Sequence, residues 1–140
     1  MSRRDPEHHL VDLLSRVSRE CNARLAERLK PHGLSVQEGY ILRAISAGDG
    51  KSLGELADEL VVNNPTLTKM VDRMVDNNLV YRAPHPTDRR RVLIYPTVHG
   101  ESLGLQVAGI VDQHQEDLEG RFGERSQLGK LLTRLLDSLG

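Results

Sequence analysis

The chain reads as a mainly α fold with one small antiparallel β-hairpin, in the order four helices, a hairpin, two helices. Three observations predict it. Apolar residues recur at threes and fours through most of the 140 residues, the mark of helices buried on one face. The period shortens to two in only two stretches, Leu79–Ala83 and Arg91–Tyr95. Between the helical stretches lie polar caps and Gly or Pro stops at the spacings that open and close helices.

The first helix starts at Leu10, with Leu10, Leu14, Val17, Cys21, Leu25 and Leu29 on one stripe and charged residues between them; Pro31-His32-Gly33 stops it. Ser35, with Glu38 three residues on, forms a capping box for a second helix through Ile41, Leu42 and Ile45. Ser52 with Glu55 repeats the pattern for a short third helix, Leu53 to Leu60, followed by Val61-Val62. Pro65 suits a first helical turn with Asn64 as its cap, and Leu67, Met70, Val71 and Met74 then form the inner stripe of the fourth helix. The two period-2 stretches flank Pro84-His85-Pro86-Thr87-Asp88-Arg89-Arg90, which makes the hairpin tip basic. A long helix follows over Val98–Gly120, weakened locally by Gly104 and Gly109. The last, Leu128 to Leu139, is a leucine stripe that needs a partner surface.

Composition narrows the function. A single cysteine, Cys21, excludes an intrachain disulfide, and no apolar run is long enough to cross a bilayer, so the expectation is a cytoplasmic protein without a membrane partner. Aromatics are 3% of the chain, too few for a base-stacking surface, which leaves duplex DNA as the nucleic-acid option. The formal net charge is -1, but positive charge is concentrated: residues 63–97 carry 6 basic and 3 acidic side chains, against 4 and 7 in 98–140.

Two short helices joined by a tight turn, followed at once by a basic hairpin, make a winged helix-turn-helix. The inner stripe docks the fourth helix on the domain and leaves its first turns free for a major groove. There Thr66 and Thr68 offer hydroxyls and methyls, while Lys69 and Arg73 reach guanine edges or phosphates. Asn64 opens that helix, and Lys51 and Ser52, at the start of the preceding one, suit a phosphate. Arg82 lies on the first strand. Arg89, Arg90 and Arg91 crowd the hairpin tip beside Asp88, whose carboxylate is expected to hold a neighbouring guanidinium in one rotamer for a minor groove.

Residues 34–101, LSVQEGYILRAI through LGELADELVVNNPTLTKMVDRMVDNNLVYRAPHPTDRRRVLIYPTVHGE, resemble the MarR (multiple-antibiotic-resistance regulator) family of winged-helix transcription factors. The most specific part is Asp88-Arg89-Arg90, followed by an extended segment and the Thr97-x-x-Gly100 turn. The resemblance implies a homodimer held by N- and C-terminal helices, bound to a pseudo-palindromic operator with recognition helices in successive major grooves and wing arginines in the flanking minor grooves. By position it assigns Thr66, Thr68, Lys69 and Arg73 to the recognition helix, and Asp88 and Arg90 to the wing. Residues 1–33 and 98–140 are then dimerisation segments around a DNA-binding lobe at 34–97. Asn77-Asn78 stands where the family often has Gly, and Asn tolerates the left-handed backbone required there.

The implied function is a repressor released by a small-molecule effector, with His32, Tyr40, Arg43 and His114 as the polar or aromatic residues near the expected crevice. Cys21, on the apolar stripe of a helix without aromatics, reads as a buried core thiol; the alternative is a redox-sensing repressor. A winged helix used for protein contacts is a second alternative, against which the basic wing argues. His114 has Ile110 and Leu118 one turn away on either side, so no metal is expected, and no catalytic constellation or cofactor motif stands out.

Overall fold

The computed structural model describes residues 9–60, 62–121 and 127–140; Val61, which the sequence places just after the third helix, lies outside them. The elements are α1 (Leu10–Leu29), a 3-10 turn (Lys30–His32), α2 (Val36–Ile45), α3 (Leu53–Leu60), α4 (Asn64–Asp76), β1 (Val80–Pro84), β2 (Val92–Pro96), α5 (Val98–Gly120) and α6 (Gln127–Leu139). None of these helices is long and apolar enough to cross a membrane.

The caps explain where the helices start. Ser35 Oγ accepts from the Glu38 amide at 3.1 Å while the Glu38 carboxylate accepts from the Ser35 amide at 3.2 Å, so both arms of the expected box are present. Ser52 Oγ accepts from the Glu55 amide at 3.1 Å. At α4 the cap is Asn63, not Asn64: Asn63 Oδ1 accepts from the Thr66 amide at 3.0 Å. Asn64 becomes the first helical residue and Pro65 the second, where a missing N–H removes no intrahelical bond.

Ile41, Leu42 and Ile45 of α2 are fully buried, and α1, α3, α4 and α5 close around them through Leu25, Leu29, Leu56, Leu67, Val71, Met74 and Val107. Gly104, expected to weaken α5, lies at its crossing with α2: a Cβ there would stand 3.0 Å from the Leu42 carbonyl oxygen and from Ser46 Cβ. The stripe of α1 divides at Cys21, because Leu25 and Leu29 are buried whereas Leu10 and Val17 are more than half exposed. No residue of α6 is buried, and Leu136 and Leu139 are 70% and 76% exposed.

The strands pair antiparallel with Tyr81 opposite Tyr95 and Arg82 opposite Ile94, and the two tyrosine rings stack with centroids 5.5 Å apart. A third segment joins them: the Lys51 amide donates to the Ile94 carbonyl at 3.2 Å and the Ile94 amide to the Lys51 carbonyl at 2.8 Å. This segment lies along the second edge of β2 with Gly50 close against Leu93 and Tyr95, and neighbouring Leu93 and Ile94 are both buried where alternation predicts one. Asn78 adopts a left-handed φ of 58°, as expected. Thr97 Oγ1 donates toward the carbonyls of Asn78 (2.8 Å) and Leu79 (3.1 Å) and accepts from the Gly100 amide at 2.9 Å, so one hydroxyl ties the α4–β1 turn to the start of α5.

Candidate nucleic-acid interface

Helix α4 buries Leu67, Val71 and Met74, which turns Asn64, Thr66, Lys69 and Arg73 outward, all exposed or partly so. Thr68 lies at the edge of the buried stripe: it is half-buried, and its hydroxyl donates to the Asn64 carbonyl at 2.9 Å. Asp72, a helical neighbour of Lys69 and Arg73, instead meets Arg82 of β1 at 2.5 Å. Among the described residues Lys69, Arg73, Arg89 and Arg90 form no ion pair, so their charges face solvent.

The hairpin tip is closed by its own side chains. Nδ1 of His85 accepts from the amides of Thr87 (3.1 Å) and Asp88 (3.2 Å), and Asp88 Oδ1 accepts from the Arg90 amide at 3.1 Å. The expected pairing of Asp88 with a guanidinium is therefore replaced by a backbone bond. A short carboxylate two residues ahead of an amide reaches it with little loss of entropy, whereas holding a long guanidinium freezes several torsions. Asp88 shapes the turn from which Arg89 and Arg90 project.

Three sites assigned from sequence to DNA are also engaged within the fold. Lys51 Nζ lies 2.6 Å from Glu59, Arg82 is held by Asp72, and Ser52 Oγ, already the cap of α3, lies 3.3 Å from Glu55 Oε1. The third arginine of the tip run, Arg91, meets the same Glu55 oxygen at 2.6 Å. The partners are 8, 10 and 36 residues apart for Lys51, Arg82 and Arg91, separations at which sequence periodicity is silent.

The four effector candidates do not converge on one cavity. His32 shares a cleft of about 680 Å³ with Arg28, Gln106, Ile110 and Gln113, while Tyr40 and Arg43 line another of about 510 Å³ with Glu59 and Leu60. Arg43 also faces Asp112 at 3.6 Å. His114 is buried beneath α1; burial, then the Arg28 charge, lowers its pKa, against a hydrogen bond to the Cys21 backbone. Arg28 is itself paired with Asp117. Cys21 is half-buried, not enclosed as expected, and lines a mostly apolar groove of about 850 Å³ between α1, α5 and α6, because α6 does not close over that face.

The profile of the MarR family matches residues 32–91, the span from the end of the 3-10 turn to the wing arginines. The multiple antibiotic resistance protein MarR of Escherichia coli (strain K12) is 32% identical over 106 residues, covering 74% of this chain and 74% of that protein. The chain belongs to the MarR family. The fold agrees: a cysteine-to-serine mutant of E. coli MarR solved with operator DNA superposes with a TM-score of 0.80 at 26% identity, covering 98% of this chain and 100% of that one. The S. aureus MepR–DNA complex gives a TM-score of 0.80 at 25% identity over 91% of this chain and 96% of that one. Membership makes this MarR-family chain a transcription regulator of winged-helix architecture, not an enzyme.

Proposed function

We propose that this chain acts in the cytoplasm as a homodimeric repressor of a pseudo-palindromic operator, with α4 of each protomer in a major groove and Arg90 of each wing in the flanking minor groove. One observation carries the reading: the outward residues Thr66, Lys69 and Arg73 of α4 adjoin a hairpin whose tip presents Arg89 and Arg90, and the Arg82–Asp72 pair joins the two. Hydroxyls and cations at the start of α4 suit base edges and phosphates, and arginine suits a narrow, electronegative minor groove. Dimerisation follows from the exposed apolar residues of the first half of α1 and of α6. The dimer sets the distance between the two α4 helices, which must match about one helical turn of DNA, roughly 34–36 Å. An effector binding one spacing better than the other shifts the equilibrium by that difference in affinity. The cleft holding Arg28, His32, Gln106 and Gln113 offers such a ligand an imidazole and two amides beside the Arg28–Asp117 pair.

Selection of bound sequences from random duplex DNA, with and without peroxide, tests the reading. A palindromic consensus with two half-sites supports it, and absence of enrichment overturns it. The redox alternative draws on one observation, that Cys21 lines an open groove. Enrichment that peroxide abolishes in the wild type and not in Cys21→Ser would establish it.

A further inference from the structure

The hairpin stands on the helix-turn-helix through anchors at two levels. The lower level is the rung Arg82 opposite Ile94: Arg82 is held by Asp72 of α4, and Ile94 exchanges two backbone bonds with Lys51. Above that rung the ladder continues through Ala83 and Leu93, then Pro84 and Val92, to the His85 amide donating to the Arg91 carbonyl at 2.8 Å. Arg91 is three residues beyond Ile94, roughly 10 Å further toward the tip at the rise of an extended strand. There its guanidinium meets Glu55 of α3 at 2.6 Å. Glu55 is held in turn: its amide donates to Ser52 Oγ, and its Oε1 takes both the Ser52 hydroxyl and Arg91.

We infer that Glu55 and Arg91 are positioning residues that fix the tilt of the wing, so that the arginine run divides into two readers, Arg89 and Arg90, and one brace, Arg91. Without the brace the hairpin pivots about the Arg82–Ile94 rung, and a small rotation there is amplified at residues 86–90. Both partners are nearly half exposed, at side-chain exposures of 47% and 46%, and pairs so exposed add little to folding stability. The effect of the brace is on orientation. This inference rests on the DNA-binding reading for its consequence at an operator, and not for the brace itself.

Two arms separate these. In the DNA-free protein, residual dipolar couplings of the Ala83, His85, Val92 and Leu93 amides share one alignment frame with α4 in the wild type. In Glu55→Gln and in Arg91→Gln they are averaged, and in the charge-exchanged pair Glu55→Arg with Arg91→Glu they return. Unchanged couplings in both single variants overturn the brace whatever the protein binds. In the second arm the selected duplex is flanked by A·T or G·C pairs. Glu55→Gln removes a negative charge, which by electrostatics alone tightens DNA binding at every flank. The brace predicts that the same substitution lowers the A·T over G·C affinity ratio toward one, as Arg91→Gln does, and that the double variant falls no further. If Glu55→Gln tightens binding with the flank ratio intact while Arg91→Gln weakens it, Arg91 is a phosphate contact and the inference is wrong. A wild type that binds no duplex, with couplings behaving as stated, leaves the brace standing and removes the proposed function.

Discussion

The guanidinium of Arg82 on β1 donates to the carboxylate of Asp72 on α4 across 2.5 Å, joining the hairpin to the helix it follows. A cation already neutralised by its own fold releases few counterions when DNA arrives. Arg82→Ala should therefore leave the slope of log affinity against log salt nearly unchanged, while Lys69→Ala reduces it by about one unit. Titrations at several salt concentrations check the contrast; equal slopes for the two variants would place Arg82 at a phosphate.

Arg90→Ala should weaken binding most on operators with A·T-rich flanks, where the minor groove is narrow. Because Asp88 Oδ1 accepts from the Arg90 amide, Asp88→Ala should give a milder loss of the same kind, and Asp88→Asn, which keeps a carbonyl acceptor, should restore most of it. Competition binding against singly mutated flanks measures both. An unaffected Arg90→Ala would show that the wing stays out of the minor groove.

The two threonines of α4 should separate. Thr66 is exposed, whereas the Thr68 hydroxyl is engaged by the Asn64 carbonyl. Thr66→Ala should relax base preference at one position per half-site by about 1–3 kcal/mol, with Thr68→Ala changing it less. Repeating the random-duplex selection with each variant decides between them.

Deleting residues from Gln127 onward removes α6 and its exposed leucines. The shortened chain should sediment as a monomer and bind a full operator no better than a single half-site. Dimers surviving the deletion would assign the interface to other elements.

Stability should fall at acid pH in two separate windows. Burial first and the Arg28 charge second hold His114 below the ordinary imidazole value of 6.5, so the unfolded chain takes up a proton that the folded chain resists. Stability is therefore unaffected by this group above pH 6.5 and declines as pH drops below it. Asp117, held below 3.8 by its hydrogen bond from Arg28, contributes stability that is lost only as pH falls beneath that value. His114→Gln should flatten the upper window and leave the lower one, as followed by the urea midpoint against pH.

Local signals were legible in the sequence, and long-range ones were not. The Ser35–Glu38 box and the span of α5 follow from residues a few positions apart, where capping and periodicity act, and the left-handed Asn78 follows from the resemblance, which puts Gly at that place. Asn63 and Asn64 are chemically the same cap, and only the placement of the first helical residue distinguishes them. Glu55 and Arg91 lie 36 residues apart, so an arginine triplet reads as uniform until the fold sets one member against a carboxylate. The exposure of Cys21 depends on how α6 lies against α1, which no pattern within either helix encodes.

The bonds that shape the wing tip run from His85, Thr87, Asp88 and Arg90 to one another and reach no helix. Residues 85–90 are in that sense an end piece whose internal order is independent of the core. Lengthening such a loop adds closure entropy only slowly, so insertion or replacement there alters reach and charge while the helices keep their packing. Exchanges in this end piece therefore alter what the wing presents with little effect on folding, whereas each change on the inner face of α4 must first satisfy Leu67, Val71 and Met74.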